Sequence, residues 1–273
     1  MATDLTRFPF PYLPNPTAST LTEALAHPAT SSGFVVLALM AKESEKLIDV
    51  LYEFATAARR ASSFNGLRTL RAFRQLRRDE LGGAVPFDQS ICEKLLELAG
   101  PMATLAQQTI LSNPLANWVL LLDFDTTDHA TIFVDDLHGG DYRLDTLADG
   151  CSMYSVGAFR NIRQYGRVLY DPNLIQCFTL FPAPGTIDLL WQSWQDALPW
   201  FFEIGGARSS LPLLAMRPEQ TLLLVNHAHW DSMKPFLHGG LYDRFLHEQV
   251  LKGIWVERGA TLPHTFFCKI APV

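Results

Sequence analysis

Short apolar runs separated by amphipathic stretches extend over most of the chain. The apolar runs at residues 34–39, 118–124 and 130–134 predict buried strands. Apolar side chains recur at helical spacing between Leu47 and Ala58, which predicts a helix there. Strands that alternate with helices favour an α/β fold, here a mixed sheet flanked by helices.

The same patterns predict further elements. The stretch at 187–198 predicts a helix that Pro199 would end, followed by a strand at 200–204. A helix is predicted at 152–165 and a short strand at 167–170. No internal repeat is visible along the sequence.

Proline, glycine and apolar residues divide the chain into three regions. Residues 1–32 carry prolines between aromatic side chains and predict an extended arm. We expect an α/β domain at 33–205. Beyond the glycine pair at 205–206 we expect a smaller, mainly helical C-terminal lobe at 206–273.

Composition narrows the class of protein. The chain has 273 residues, 48% hydrophobic and 18% charged, with a formal net charge of −6. These values exclude a disordered or coiled-coil chain, and the negative charge argues against binding to nucleic acid or an anionic membrane. The N-terminus has no apolar signal-peptide core, and the four cysteines form no CxxC pair. We therefore expect a cytoplasmic protein with buried thiols and no cofactor.

The basic residues are concentrated in one stretch. Seven of the 22 lysines and arginines lie between Arg59 and Arg78. Interpreted as a helix, this stretch places Arg68, Arg71 and Arg74 on one stripe. Such a stripe is either an ordinary solvated surface or a surface that docks an acidic protein partner.

A dense group of aromatic residues includes Trp194 and Trp200. Aromatic side chains at this density are typical of a core. The alternative is that they, with Trp230, form an exposed patch that anchors a protein partner.

The motif His227-x-His229-x-Asp231 follows an apolar run. On a strand, these three side chains share one face and could bind zinc or iron. The motif resembles the HxHxDH signature of the metallo-β-lactamase family, with Ser232 in place of the final histidine. A second version combines His229 and Asp231 with His264.

The alternative is that Asn226 caps a helix over residues 227–251. In a helix, His227 and His229 would point about 200° apart and could not share an ion. We favour this capped helix, and therefore predict no metal. The chain also lacks the G-x-S-x-G, Walker and HExxH motifs of common catalytic sites.

The segment GRVLYDPNLI, preceded by FRNIRQY, is similar to the R-(apolar/aromatic)-D-P-x-(apolar) core of the type VI secretion adaptor family. The segment LLLVNHAHWDSM is similar to that family's tail. The resemblance implies a bacterial cytoplasmic adaptor without catalytic activity, with an α/β lobe and a helical lobe. It also implies that Asp171 caps a helix and that Pro172 fixes its entry. Arg167 would pair with Asp171 or face the partner.

The sequence therefore favours a non-enzymatic adaptor or chaperone that holds a secreted effector for delivery to a spike protein. Its expected protein contacts are Arg68, Arg71, Arg74, Arg167, Trp194, Trp200 and Trp230. One alternative is a metal-dependent hydrolase or oxygenase that uses His227, His229 and Asp231. Another is an immunity protein or a subunit of a larger complex.

Overall fold

The computed structural model of the chain describes residues 26–28, 32–41, 45–60, 66–76, 116–139, 151–183, 186–203, 207–230 and 264–271. The strands are β1 (Ala26–Pro28), β2 (Gly33–Ala41), β3 (Leu67–Gln75), β4 (Trp118–Phe124), β5 (Cys151–Asn161), β6 (Arg163–Tyr165), β7 (Ile175–Pro182), β8 (Ala207–Ala215), β9 (Leu222–Trp230) and β10 (His264–Ala271). The helices are α1 (Glu45–Arg60), α2 (Thr127–Gly139) and α3 (Ile187–Glu203).

The order of neighbouring strands reveals two similar halves. The first half runs β2-α1-β3-β4-α2-β5, and its strands lie side by side as β5-β2-β4-β3. The second half runs β7-α3-β8-β9 and later β10, and its strands lie as β10-β7-β9-β8. In both halves the fourth strand is next to the first, then the third, then the second, which is a ferredoxin-like arrangement. The fold thus contains a structural repeat that the sequence does not reveal.

The two halves join at both edges to form a closed barrel. Strand β3 pairs with β10, and β5 pairs with β8, so that eight of the described strands form an antiparallel ring. Directions alternate around the ring, and equivalent strands of the two halves point the same way. An approximate two-fold axis therefore runs along the barrel, and equivalent strand ends of both halves meet at the same barrel end.

Side chains alternate between the helix side and the barrel interior. On β2, Val35 and Leu37 pack in a buried cluster with residues of α1 and α2, including Phe54 and Phe133. The intervening Val36 belongs to a second cluster, which fills the interior with residues from both halves: Phe34, Val36, Ala38, Phe73, Val119, Leu121, Phe159, Phe178, Leu180, Leu211, Leu213, Val225 and Cys268. One layer of strands is therefore buried on both faces.

The predicted fold class is wrong. The sheet is antiparallel throughout its described pairings rather than mixed, and it closes on itself rather than lying open between helices. The mainly helical C-terminal lobe is also wrong, because β8, β9 and β10 complete the barrel. Residues 231–263 and most of the predicted arm at 1–32 lie outside the described residues.

Two predicted helices are strands. The arginine-rich stretch forms β3, since β4 and β10 offer hydrogen-bonding partners on both of its edges. The stretch at 152–165 forms β5 and β6, which pair with β2, β8 and β1. Tertiary pairing has overridden the local helical pattern in both cases.

The opposite error occurs at 130–134, which lies inside α2. Ala130, Phe133, Val134 and Leu137 are buried on one helical face, at the spacing of successive turns. The Thr126 hydroxyl accepts a hydrogen bond from the backbone N–H of His129 at 3.2 Å, as an N-cap residue does.

Other predictions agree with the structure. The strands at 34–39 and 118–124 are β2 and β4, and the helix between Leu47 and Ala58 is α1. Helix α3 begins as predicted but continues through Pro199 to Glu203, so the predicted strand at 200–204 is wrong. Among the described residues, no helix is long and apolar enough to cross a membrane.

Adjacent residues of α2 offer a test of the packing. Phe133 is 0% exposed and Ile132 is 48% exposed. We expect Phe133→Ala to lower the free energy of unfolding by about 3–5 kcal/mol, because it leaves a cavity between α2 and the sheet. The control Ile132→Ala should change it by less than about 0.5 kcal/mol. Urea unfolding of both variants measures the difference, and equal effects would contradict the helical placement of this segment.

Candidate functional site

Polar side chains gather inside one end of the barrel, which we call the polar end. Its members lie near the N-terminal ends of β7 and β8, near the C-terminal ends of β4, β5 and β9, in the middle of β3, and in the connection that enters β7. They are Arg71, Asp123, Asn161, Tyr170, Gln176, Ser209, His227 and His229. A buried polar group needs a partner, so this concentration within an otherwise apolar interior is the strongest sign of a site.

The two histidines lie on β9, so the capped helix predicted from Asn226 is wrong. His227 is paired in register with Phe178 on β7 and Leu211 on β8, both of which belong to the interior cluster. As expected for a strand, His229 shares its face. The neighbouring strands decide the conformation, because they supply hydrogen bonds along both edges of β9.

Aromatic side chains surround the His227 imidazole. It stacks on the Phe178 ring, with centroids 4.5 Å apart and planes 10° apart. The Phe73 ring meets it edge-on at 5.0 Å, and Tyr170 lies 5.7 Å away. This environment is apolar except where Gln176 reaches the ring.

The hydrogen bond that His227 donates to Gln176 defines the tautomer of the imidazole. The Gln176 Nε2 group donates to the Leu169 carbonyl at 3.1 Å, which turns Oε1 toward His227 Nε2 at 2.9 Å. Since an amide oxygen only accepts, we assign the ring proton to Nε2. The lone pair of Nδ1 is then an acceptor, fully buried, with no hydrogen-bond partner among the described residues.

Burial keeps this imidazole neutral. Burial first, and then the nearby His229 and Arg71, lower the pKa of His227 to about 3. At neutral pH, His227 is therefore a hydrogen-bond acceptor rather than a cation.

His229 is oriented by the residue opposite it on β8. The Ser209 Oγ atom lies 2.7 Å from His229 Nδ1 and accepts the His229 backbone N–H at 3.2 Å. Both side chains are buried.

Arg71 carries a positive charge into the polar end. Its guanidinium lies 3.6 Å from the centroid of the Tyr170 ring and donates to the Thr69 hydroxyl. Burial nevertheless raises the pKa of Tyr170 to about 12, so its hydroxyl stays protonated.

Asp123 faces the same region from β4. Burial raises the pKa of its carboxyl group, and the positive charges of Arg68 and Arg71 oppose this rise. Its Oδ1 atom is buried, with no hydrogen-bond partner in the described part of the chain. A carboxylate with a raised pKa near a cation is a plausible proton acceptor.

The predicted helix start at Asp171 is a turn. The Asp171 carboxylate accepts the Asn173 backbone N–H at 2.8 Å, and its carbonyl accepts that of Leu174 at 3.0 Å. Pro172 therefore occupies the second position of a β-turn, where its fixed φ is favourable. The predicted strand at 167–170 is not formed, and Arg167 is exposed.

The predicted arginine stripe is not a single surface. Arg71 points inward, Arg68 is exposed and donates to the Ser32 hydroxyl at 3.1 Å, and Arg74 is half-buried. Their separation follows from the strand, in which alternate side chains face opposite sides.

Two of the three predicted aromatic anchors, Trp194 and Trp230, lie in the core. Trp194 and Trp230 are both buried against Phe201 on the helix side of the second half. Trp194 also donates to the Ser210 hydroxyl at 3.4 Å. Trp200 belongs to α3. The two buried tryptophans therefore form core rather than surface.

The candidate metal ligands are only partly brought together. His227 and His229 share the interior face, His264 begins β10, and Asp231 lies outside the described residues. Among the described residues, no three histidines, cysteines or acids are close enough together to hold a metal ion.

Sequence reasoning missed Asp123, Asn161, Tyr170, Gln176 and Ser209. Each interrupts or ends an apolar run, and a polar residue within a run that is buried on both faces is itself a signal. Their assembly depends on barrel closure, which no local pattern indicates.

Acid should destabilise the wild-type protein more than a His227→Phe variant. Folded His227 stays neutral to about pH 3, whereas in the unfolded chain it binds a proton below its ordinary pKa of 6.5. The unfolded state thus holds more protons between these values, and stability falls as pH falls. Between about pH 7 and about pH 4.5, urea unfolding should show a loss about 2–3 kcal/mol larger for the wild type. The exposed-site control His138→Phe should follow the wild type, and a matching loss in His227→Phe would refute the buried neutral imidazole.

No protein-family model and no curated protein matches the sequence. Over 90% of this chain and 94% of the other, the structure is similar to one described as an anthrone oxidase-like protein, with a TM-score of 0.56 at 11% identity. Chlorite dismutase from Candidatus Nitrospira defluvii, in a variant form, has a TM-score of 0.45 at 7% identity over 89% and 92% of the two chains. A monooxygenase-like protein from Listeria innocua has a TM-score of 0.38 at 11% identity over 88% and 96%.

The first of these similarities shows the fold, and the other two are too weak to support an argument. The barrel shared with the oxidase-like protein is not the pair of lobes that a secretion adaptor would have. The adaptor function predicted from the sequence is therefore wrong.

Proposed function

We propose that the protein is an oxidase that acts on an aromatic substrate bound at the polar end. The observation that carries this proposal is the buried, unpaired Nδ1 atom of His227, which is surrounded by aromatic rings and lies near Arg71, whose charge also acts on Asp123. An enzyme that uses oxygen was among the alternatives drawn from the sequence, although through a metal. The present proposal rests on the polar end and assigns no metal.

The walls of the polar end favour a flat aromatic ligand with a hydroxyl or enol group. Phe73, Phe178 and Tyr170 offer ring faces and edges around His227. A hydroxyl group that donates to Nδ1 would satisfy this buried acceptor, whereas a purely apolar ligand would leave it unpaired. Selection for hydroxylated aromatic compounds follows.

Asp123 and Arg71 supply the chemistry that such a ligand needs. Asp123 would accept a proton from the methylene carbon of the ketone, and the positive charge of Arg71 would stabilise the negative charge that spreads over the fused rings and their oxygen. The electron-rich enolate then reacts with dioxygen. For anthrone, the methylene carbon loses two hydrogens and gains a carbonyl oxygen, and the second oxygen atom leaves as water.

A proton acceptor beside a cation could serve several reactions. The description of the similar structure as anthrone oxidase-like favours the oxidation of an anthrone. A hydroxylated anthrone is a flat polycyclic ketone with an acidic methylene group and a ring hydroxyl group, so it meets the requirements of the polar end. The similarity itself concerns the fold, and the residues named above carry the proposal.

We also propose that the protein is cytoplasmic, as the sequence predicts.

Oxidation of an anthrone that carries a hydroxyl group on an outer ring should require His227. We expect His227→Phe, which keeps an aromatic ring on Phe178, to lower kcat/KM at least about tenfold because the acceptor for that hydroxyl group is lost. Oxygen uptake and the absorbance of the anthraquinone product measure the rate. His138→Phe changes an exposed histidine on α2 and should retain wild-type activity. No oxidation by the wild type, or full activity of His227→Phe, would contradict the proposal.

Asp123→Asn should affect the chemical step. It preserves the shape of the side chain but removes the proton acceptor, and we expect kcat to fall about a hundredfold or more. In the wild type, kcat should decline as pH falls through the raised pKa of Asp123. The matched control Asp128→Asn alters an exposed acid in the first turn of α2. An unchanged pH profile in Asp123→Asn would exclude Asp123 as the proton acceptor.

A further inference from the structure

Asn161 is a second unsatisfied polar side chain at the polar end. It is the last residue of β5, and the residue is only 3% exposed. Neither Oδ1 nor Nδ2 has a hydrogen-bond partner among the described residues. Its amide group therefore offers one donor and one acceptor that the described structure leaves unused.

The strand register shows that Asn161 faces the barrel interior. It lies opposite Leu213 on β8, and opposed residues of antiparallel strands point to the same side of a sheet. Leu213 belongs to the interior cluster, as does Phe159 two residues before Asn161. The amide is thus directed into the same enclosed space as His227.

The register also gives the separation of the two side chains along the wall. Leu213 and Leu211 lie on β8, and Leu211 is opposite His227 on β9. Asn161 and His227 are therefore two strands and two residues apart, about 12 Å along the sheet surface. Barrel curvature brings their side chains closer, to a span that a molecule of two or three fused rings can bridge.

An asparagine with both amide atoms unpaired destabilises a folded protein unless something else binds it. Asn117 shows the contrast, because it donates to the Ala41 carbonyl at 2.7 Å and accepts the Ala41 backbone N–H at 2.8 Å. Asn117 has a structural role that these bonds explain, whereas Asn161 has none among its described neighbours.

We infer that Asn161 is a specificity-determining contact for a carbonyl group of the substrate, which lies across the rings from the hydroxyl group held by His227. The carbonyl oxygen accepts a hydrogen bond from Nδ2, and a hydroxyl group next to that carbonyl would donate to Oδ1. The substrate class is thus a hydroxylated polycyclic aromatic ketone. This inference rests on the proposed binding site and adds a second polar contact to it.

Three anthracene-sized probes separate the two contacts. The first is a hydroxyanthraquinone whose hydroxyl lies on an outer ring, remote from the carbonyls. The second is anthracenol with the same hydroxyl and no carbonyl, and the third is anthraquinone with no hydroxyl. Quenching of tryptophan fluorescence gives the Kd of each probe for the wild-type protein and its variants.

We expect Asn161→Leu to raise the Kd of the two carbonyl-containing probes about tenfold and to leave anthracenol within about twofold. His227→Phe should show the reverse pattern, with weaker binding of the two hydroxylated probes and unchanged binding of anthraquinone. Asn117→Leu, the control, should lower the thermal midpoint without changing the relative Kd values. Asn161→Leu should unfold at or above the wild-type temperature.

Unchanged Kd values for all three probes in Asn161→Leu would overturn the inference. Loss of all three to the same extent would do so as well, since that pattern indicates altered packing rather than carbonyl recognition. If the wild type binds the probes with the expected pattern but does not oxidise anthrone, the proposed reaction fails while the binding contact stands. If the wild type binds none of them, both fail.

Discussion

The pairing of β3 with β10 and of β5 with β8 is the constraint on which the rest of the molecule depends. Each ferredoxin-like half has two sheet edges that expose unpaired backbone groups, and exposed edges invite aggregation. Joining the halves edge to edge removes these sites and encloses the inner faces of both sheets. The enclosed space removes His227 from water, so the chemistry of the polar end is a consequence of closure.

Enclosure decides the protonation of the polar end. Desolvation disfavours every charged form, which keeps His227 neutral, Tyr170 protonated and the pKa of Asp123 raised. Arg71 alone must remain charged, because a guanidinium does not lose its proton in proteins. The result is one fixed positive charge beside two neutral side chains, His227 and Tyr170, and a carboxyl group whose pKa is raised. Such an environment binds a neutral hydroxylated ligand and stabilises an anion formed from it.

The local pattern of apolar residues was sufficient to predict elements whose burial follows directly from that pattern. Strands β2 and β4 are continuous apolar runs, and α1 has one apolar face, so all three could be predicted. Strand β3 could not, because Leu67, Leu70 and Phe73 satisfy a helical spacing and only the neighbouring strands exclude it. The candidate site could be predicted only in part. The alternative interpretation of residues 227–231 as a strand placed His227 and His229 correctly on one face. Their partners come from distant segments, and no sequence spacing connects those segments.

The structural repeat explains why Asp123 and the two histidines of β9 lie at the same end of the barrel. Counted back from the last strand residue, Asp123 on β4 occupies the position that His229 occupies on β9, and Leu121 the position of His227. Since the two-fold axis runs along the barrel, these equivalent positions lie at the same end and face each other across the interior. The first half keeps an apolar residue where the second has His227, and a carboxylate where the second has His229. The two halves therefore place different side chains at equivalent positions of one approximately symmetric scaffold.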